Sequence, residues 1–356
     1  MLEKNDTMEN EMNRRNFLNV TTAAGAVFLM DDIFHESATS MEGASIEEAE
    51  KIVVTVITDN YTDALRPHDK IARRPEGTGS ALDIILHAEH GLAYHIETVV
   101  NGQSHSFLFD FGTDYQGIKR NIGLLKIDLK NIEALVLSHD HFDHQAALIE
   151  LLEEKKTVIT PGIPFYVGEK FFSGSYFKRS GDYVASLLAL KREDIENLGL
   201  VKIVETLLPT QIIPGAYLVG QIDQVTDYEK IPPVFLTRRD GQLVQDDFIG
   251  EQAVVLNVRG KGLVVISGCA HRGIVNTVRQ AQKITGINHV HAIIGGFHLT
   301  GARPETIQRT IADIKAFYPD YIAPFHCTGF EAITAFAREM PEQFILNTSG
   351  TRYIMT

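Results

Sequence analysis

The sequence predicts a mixed α/β (α+β) fold, a four-layer αββα sandwich in which two sheets pack face to face and helices cover their outer faces. Apolar runs of strand length interleave with amphipathic stretches of helical period, and no internal repeat or low-complexity tract interrupts them. Sheets and helices of this kind bury their apolar faces against one another in layers. A chain of 356 residues is long enough to build such a core.

The first 50 residues are predicted to form a targeting segment and a linker rather than part of the fold. Residues 13–18 read NRRNFL and resemble a twin-arginine export signature, and a modestly apolar stretch follows at 20–30. That stretch is too short for a comfortable membrane span, so no stable span is expected. Residues 36–50 are polar and small and are predicted to be a linker. The expected location is therefore periplasmic or otherwise exported, with the cytoplasm as the alternative.

Residues 51–356 are predicted to form one domain without an internal boundary. Hydrophobic periodicity places strands at 52–57, 92–96, 106–109, 132–138, 262–267, 293–297 and 321–325. The helical period appears at 145–154, 183–190, 192–198, 274–284 and 305–317. The alternation of the two patterns is what the sandwich requires.

The most informative feature is segment 139–144, which holds three histidines and two aspartates directly after the apolar run 132–138. That run predicts a buried strand, so the cluster stands where a strand ends and a loop begins. Imidazole nitrogens and carboxylate oxygens are ligands that zinc and related metals prefer. His139 and His141, on alternate positions, can face one metal, while Asp143 and His144 can face a second. A solvated polar loop is the alternative interpretation.

Two later histidines follow strands in the same way. The run 262–267 leads into His271, and the run 321–325 is followed at once by His326. Segment 145–270 contains no histidine, so further histidine ligands must come from these separated strands. Strands that each deliver a histidine at the C-terminal edge predict a metal site on the rim of the sheets.

Composition limits the class of partner. The formal net charge of −13 argues against a nucleic-acid-binding surface, because neutralisation of phosphates supplies most of that affinity. A small anionic substrate remains compatible, since a bound cation supplies local positive charge. With two cysteines, Cys269 and Cys327, the chain has no disulfide scaffold. The composition therefore favours a small-molecule partner and no nucleic acid.

Four features together resemble the metallo-β-lactamase superfamily. They are the motif His139-x-His141-x-Asp143-His144, the upstream Asp110-x-Gly112, His271 after a strand, and His326 near the C-terminus. Segments 59–60, 88–92, 268–276, 295–299 and 326–329 further resemble the branch of dihydropterin–ribofuranosylaminobenzene phosphate synthases and their bacterial relatives. The resemblance extends over nearly the whole chain from residue 51. It implies that residues 51–356 form a metal-dependent catalytic domain, with the four-layer sandwich and a small substrate that is phosphorylated or heterocyclic.

The resemblance implies a dinuclear metal centre. By this resemblance His139, His141 and His271 would hold one divalent ion, and Asp143, His144 and His326 the other. Zinc is the expected metal, with manganese, iron and magnesium as alternatives. Two such ions about 3.5–4 Å apart clamp a water, lower its pKa and polarise a substrate oxygen.

Two further residues have expected roles next to the ligands. Asp110 is expected to accept a hydrogen bond from a ligand imidazole, or else to be a turn residue before Gly112. Many superfamily hydrolases bridge their metals with an aspartate after a strand and a glycine, whereas Cys269 follows Gly268 here. Cys269 therefore either bridges the metals as a thiolate, supports the ligands from behind, or packs as a small buried residue. Asp140 is expected to point away from the ligands.

Four residues are candidate substrate contacts. His298 follows a strand that ends in glycines and is predicted to contact substrate or to carry a proton with Asp143, or else to be a structural histidine. His90 has the same two interpretations. Arg272 and Arg303 are candidate anion contacts, because guanidinium groups match phosphate, or surface ion-pair partners.

Three functions remain open from the sequence. The branch resemblance implies a transferase that joins a pterin methyl diphosphate to an aminobenzene ribofuranosyl phosphate, although an export signal disagrees with that cytoplasmic work. A hydrolase of a phosphodiester, lactone or related ester needs the same ligands. A non-catalytic relative that binds metal and ligand is the third. Fold alone does not decide among them.

Overall fold

Two mixed β-sheets form the centre of the computed structural model, which describes residues 46–77, 85–179 and 183–356. The strands, in chain order, are β1 (Glu48–Ala49), β2 (Lys51–Thr58), β3 (Ala72–Arg73), β4 (Ala93–Val100), β5 (Gln103–Phe111), β6 (Ala134–Val136), β7 (Ile163–Gly168), β8 (Ser175–Lys178), β9 (Val184–Ser186), β10 (Val201–Thr206), β11 (Thr210–Ile213), β12 (Ala216–Leu218), β13 (Phe235–Arg239), β14 (Gln242–Gln245), β15 (Ala253–Val258), β16 (Gly262–Ser267), β17 (Val290–Gly296), β18 (Tyr321–Phe325) and β19 (Arg352–Met355). The helices are α1 (Tyr115–Leu124), α2 (Phe142–Gln145), α3 (Leu148–Lys155), α4 (Arg192–Asn197), α5 (Ile274–Thr285), α6 (Pro304–Ala316) and α7 (Phe330–Glu339), and short 3-10 turns lie at Leu129–Asn131, Phe171–Ser173 and His326–Thr328.

The first sheet has the strand order β10-β7-β6-β5-β4-β2-β19-β3, and the second has β11-β12-β15-β16-β17-β18 with β1 paired to β15. Each sheet has a parallel part. In the first sheet β5, β6, β7 and β10 run parallel, and in the second β16, β17 and β18 do. The carboxyl ends of parallel strands lie at one edge, so the loops that follow them can meet there.

The core consists of one apolar layer between the sheets and one on each outer face. In β2, Ile52 and Val54 alternate toward the inner layer, where they join Val264 and Ile266 of β16, while Ile57 belongs to the layer under α1 and α3. Helices α5, α6 and α7 cover the second sheet. The predicted four-layer αββα sandwich is therefore confirmed.

A third sheet, with the order β14-β13-β8-β9, was not predicted from the sequence. It contains the largest error of the sequence analysis, because residues 183–190 were predicted to be helical and instead supply strand β9. Val184 pairs with Lys178 and Ala185 with Phe177 in antiparallel register. A short segment with a β-branched residue gains more from this cross-strand pairing than from an exposed helix.

Smaller differences concern element boundaries. The predicted helix 145–154 is divided into α2 and α3, and α1 and α7 were not predicted. Strand β1 lies inside the segment predicted as linker, because Ala49 is buried and pairs with Val258. The segment predicted as a targeting signal lies outside the described residues, so export and the boundary near residue 50 stay predictions. Within the described ranges, no helix is long and apolar enough to cross a membrane.

Substitution of Leu256 tests whether the inner layer between the sheets contributes to stability as a hydrophobic core. Leu256 lies fully buried in β15 between the sheets, whereas Leu65 is 92% exposed. We expect Leu256→Ala to lower the free energy of unfolding by about 2–5 kcal/mol, because it leaves a cavity, and Leu65→Ala to change it by less than about 0.5 kcal/mol. Urea unfolding followed by circular dichroism measures both. Equal midpoints for the two variants would contradict the assignment of Leu256 to the core.

Candidate metal centre

Seven buried side chains meet at the edge where the parallel strands end, in two groups. The first half consists of His139, His141 and His271, and the second half consists of Asp143, His144, Cys269 and His326. Within each half the potential ligand atoms all lie within 4.8 Å of one another. The structure therefore brings together all six residues predicted as ligands and adds Cys269 to the second half.

The local backbone explains why motif 139–144 divides between the halves. His141 has an extended backbone (φ −80°, ψ 147°) and precedes α2, so side chains two positions apart can point the same way. Asp143 and His144 belong to the short helix α2 and turn toward the other half. His326 follows β18 directly and has a left-handed backbone, with φ of 55°. Such a conformation in a non-glycine residue is costly and concentrates at functional sites.

The first half is an arrangement of neutral imidazoles. His139 Nε2 lies 3.2 Å from His271 Nε2, and the buried His141 Nε2 has no hydrogen-bond partner among the described residues. Burial holds the pKa of His141 down to about 3 and the pKa values of His139 and His271 well below the usual range. Neutral imidazole is the form that binds a metal ion. Facing nitrogens and an unpartnered nitrogen fit a cation between them.

The second half is charged. His326 Nε2 lies 3.2 Å from Asp143 Oδ2 and 3.3 Å from His144 Nε2, and His144 Nε2 lies 3.1 Å from Cys269 Sγ. Burial opposes ionisation of Asp143, but the neighbouring His144 and His326 outweigh it and hold the pKa of the carboxyl well below its usual range. Burial also opposes the charge on His326, yet its hydrogen bond to Asp143 raises the pKa to about 9. Burial raises the pKa of the Cys269 thiol well above its usual range.

A buried hydrogen-bond network of Asp110 and Ser138 orients the imidazoles of His144 and His139 through their Nδ1 atoms. Asp110 Oδ2 lies 2.6 Å from His144 Nδ1 and accepts a 2.8 Å hydrogen bond from Ser138 Oγ, while Asp110 Oδ1 accepts from Ser138 N at 2.8 Å. Ser138 Oγ in turn lies 2.9 Å from His139 Nδ1. Because the serine proton goes to Asp110, the imidazole of His139 must donate to Ser138 Oγ. Both rings therefore carry their proton on Nδ1 and present Nε2 to the site.

Glu251 supports the loop of His271, and the sequence analysis did not identify it. Its carboxylate accepts hydrogen bonds from the backbone N–H groups of His271 (2.6 Å) and Arg272 (2.8 Å). Burial nevertheless raises the pKa of Glu251 to about 7. The residue is distant in sequence from every motif, so no local pattern pointed to it.

Two candidate substrate histidines lie beside the halves. The ring of His90 stacks on that of His326 with centroids 5.3 Å apart, and its Nε2 lies 3.5 Å from Asp143 Oδ2. The side chain of His90 is 63% exposed, so it stands at the mouth of the site. The ring of His298 lies 4.1 Å from that of His271, and burial lowers the pKa of His298 to about 4.

An aromatic wall, which was not predicted, borders the first half. Phe248 stacks on His271 with centroids 4.0 Å apart. Phe235, from β13 of the third sheet, lies 5.2 Å from His271 and 5.6 Å from His298. The third sheet thus supplies an apolar surface next to the potential metal ligands.

The two candidate arginines have different surroundings. Arg272 is buried and donates from Nε to the carbonyl of Ile222 at 2.6 Å and from Nη1 to the carbonyl of Asp247. Its guanidinium therefore ties two loops together, and its contact with an anion stays a prediction. Arg303 is exposed directly before α6. Its contact with substrate stays a prediction.

A third group of potential ligands, His87, Glu89 and Asp114, lies apart from the two halves in sequence. Glu89 accepts hydrogen bonds from the backbone N–H groups of Thr113 and Asp114, and Asp114 caps α1. Both carboxylates therefore already have a structural task.

The comparisons with known proteins agree with this fold and site. The family model described as the metallo-beta-lactamase superfamily matches residues 93–208, which include Asp110 and motif 139–144. Together with the curated relatives below, this match shows that the chain belongs to the metallo-β-lactamase superfamily.

Two curated relatives come from Methanocaldococcus jannaschii. The chain is 36% identical over 260 residues to 7,8-dihydropterin-6-methyl-4-(beta-D-ribofuranosyl)-aminobenzene-5'-phosphate synthase, a match that covers 72% of this chain and 87% of that protein. It is 29% identical over 250 residues to uncharacterized protein MJ0448, covering 69% of this chain and 87% of that protein. The expected resemblance to the branch of the synthase is confirmed.

A solved structure supports the fold. The crystal structure of Tm1679, described as a metal-dependent hydrolase of the beta-lactamase superfamily, superimposes with a TM-score of 0.65 at 23% sequence identity. The match covers 85% of this chain and 98% of that chain. At this identity the likeness concerns the fold.

Substitution of Gly268 tests how tightly the buried network of Asp110 and Ser138 is packed. A Cβ atom at this position would overlap Ser138 Oγ and lie 2.9 Å from Asp110 Oδ2. We expect Gly268→Ala to lower the free energy of unfolding by about 1–3 kcal/mol, as overpacking does in well-filled interiors.

The matched control for this change is Gly123→Ala. Gly123 is exposed in α1, with nothing within 4 Å of an added Cβ. There alanine removes the helix cost of glycine, so we expect a gain of up to about 1 kcal/mol. Chemical unfolding of both variants measures the difference. A fully stable Gly268→Ala variant would contradict the packing described for Ser138.

Proposed function

We propose that the two halves each hold one divalent cation and that the chain is a dinuclear metalloenzyme. In this proposal His139, His141 and His271 bind the first ion, and Asp143, His144, Cys269 and His326 surround the second. The unpartnered Nε2 of the buried His141 supports the proposal, because a buried polar atom normally has a partner. When bound, such ions act as Lewis acids and lower the pKa of a water.

The donor set favours zinc. Imidazole nitrogens together with a thiol and one carboxylate suit zinc, whereas magnesium, calcium and manganese prefer sites made of oxygen. In the second half Cys269 Sγ lies next to His144 Nε2, the nitrogen that faces the proposed cation. Asp110 contacts the other nitrogen of that ring, Nδ1. We therefore propose Cys269 as a ligand of the second half and Asp110 as the residue that orients His144.

The chain's own groups also provide substrate handling. His90 at the mouth can exchange a proton between solvent and a bound substrate, since its side chain is 63% exposed and its Nε2 lies 3.5 Å from Asp143 Oδ2. Burial keeps His298 neutral at physiological pH, so its ring can accept a hydrogen bond from substrate. Phe248 is buried against His271 and excludes water there, and the partly exposed Phe235 offers an apolar surface to a planar ring.

We propose a transferase reaction on a pterin. The observation that carries this proposal is the 36% identity to a protein named as 7,8-dihydropterin-6-methyl-4-(beta-D-ribofuranosyl)-aminobenzene-5'-phosphate synthase, with 87% of that protein covered. The aromatic wall beside the first half suits a planar heterocycle. Cations held in the two halves would attract the phosphate of a phosphorylated substrate. In this reaction the methyl carbon of a pterin methyl diphosphate would form a bond to the amino nitrogen of an aminobenzene ribofuranosyl phosphate. The bond between that carbon and the diphosphate oxygen would break, and diphosphate and a proton from the nitrogen would leave.

Metal analysis and a product assay test this function together. We expect close to two zinc ions per chain, as a dinuclear site requires, and chelator-sensitive formation of the dihydropterin–aminobenzene product. Elemental analysis by mass spectrometry and chromatography of the product supply the two readouts. Two ions without this product, but with cleavage of a chromogenic phosphodiester or lactone, would replace the transferase by a hydrolase. No bound metal would overturn the whole proposal.

Variants of single histidines show which half of the site binds which ion. We expect His141→Ala to lose the first ion and His326→Ala the second, because each variant removes one ligand of one half only. Both variants should lose activity and remain folded. His289→Ala is the control, since the side chain of His289 is 54% exposed and contacts Asp320. Metal content and circular dichroism spectra are measured for all three. Full metal content in His141→Ala and His326→Ala would contradict the assignment of ligands.

A further inference from the structure

Asn60 makes two hydrogen bonds to His326, one of the proposed metal ligands. Asn60 lies two residues after the end of β2 and is itself exposed. Its Nδ2 donates to the backbone carbonyl of His326 at 3.1 Å, and its Oδ1 lies 3.3 Å from His326 Nδ1. An amide at the sheet edge thus contacts both the backbone and the ring of one residue.

The chemistry of the partners fixes the orientation of the amide. A carbonyl oxygen only accepts, so the atom of Asn60 that faces it must be the NH₂ group. The amide oxygen is then the atom that faces His326 Nδ1, and that nitrogen must carry a hydrogen. Consequently the lone pair of the neutral ring lies on Nε2, which points at Asp143 and His144.

The same arrangement recurs on two other histidines of the site. His139 Nδ1 donates to Ser138 Oγ, and His144 Nδ1 donates to Asp110 Oδ2. Each of these groups holds the proton on Nδ1 and directs Nε2 inward. Partners of this kind orient metal-binding histidines, and their loss typically weakens metal affinity by about 10–100-fold.

We propose that Asn60 is a positioning residue for the second half, which selects the tautomer of His326 and holds its ring toward the cation. This inference rests on the proposed dinuclear site. Asn60 can do so although it is exposed, because its neighbour Asp59 is anchored in the interior. Asp59 N donates to Ser349 Oγ at 3.0 Å, and Asp59 Oδ2 accepts from Asn347 Nδ2 at 2.9 Å.

The test measures zinc affinity rather than activity. The full chain is stripped of metal and titrated with Zn²⁺ against a chromophoric chelator. We compare Asn60→Ala, which removes both hydrogen bonds, with Asn60→Asp, which keeps an acceptor for His326 Nδ1. Each is also made in the His141→Ala background, where the second half alone retains its ligands.

We expect Asn60→Ala to weaken the second-half step by about 10–100-fold and to leave the first-half step unchanged. Asn60→Asp should restore the second-half step, because a carboxylate oxygen accepts the same hydrogen bond. Asn131→Ala is the control, since the amide of Asn131 is exposed and donates to Asp128. It should leave both steps unchanged.

Three results would overturn the role of Asn60. An unchanged second-half step in Asn60→Ala is the first. Equal weakening of both steps with a lowered unfolding midpoint is the second, because it would mean a general structural effect. Failure of Asn60→Asp to restore affinity is the third. A wild-type chain that binds fewer than two ions would instead overturn the dinuclear site itself, and the role of Asn60 with it.

Discussion

The carboxylate of Asp110 is the interaction on which the metal-binding edge depends. Asp110 is the second-to-last residue of β5, and its carboxylate accepts hydrogen bonds from Ser138 after β6 and from His144 on α2. Three segments that are separate in sequence are thereby held at one point. A buried carboxylate is tolerated only when its oxygens are paired, so its partners cannot move independently of it. Gly268 approaches the same point from the second sheet, where a side chain would overlap Ser138.

This constraint makes the site a property of both sheets. The first sheet supplies motif 139–144, and the second supplies Cys269 and His271 after β16 and His326 after β18. Apolar residues of the inner layer keep the two sheets in contact directly beneath these loops. The left-handed backbone of His326 and of Asp110 is maintained because tertiary contacts over-determine it. Rigid packing of the sandwich is therefore what lets distant residues converge to within hydrogen-bond distance.

The sequence predicted the parts of the site that depend on local patterns. Segment 139–144 is dense in ligands, and the runs before His271 and His326 have the apolar character of buried strands, so both could be read directly. Phe235, Glu251 and Asn60 could not, because their importance arises only from contacts across the fold. The error at 183–190 has the same origin, since β9 exists through its pairing with β8. Long-range partners, rather than local propensity, decide these positions.

The two halves differ in how cation binding is linked to protons. In the first half burial already keeps the imidazoles of His139, His141 and His271 neutral, so a cation there displaces few protons. In the second half burial keeps the thiol of Cys269 protonated, and the hydrogen bond to Asp143 favours a protonated His326. A cation that takes these ligands must release their protons, so its affinity rises with pH until they are gone. In the proposed dinuclear centre, the first half would therefore bind its cation with less dependence on pH, and occupancy of the second half would depend on the proton concentration.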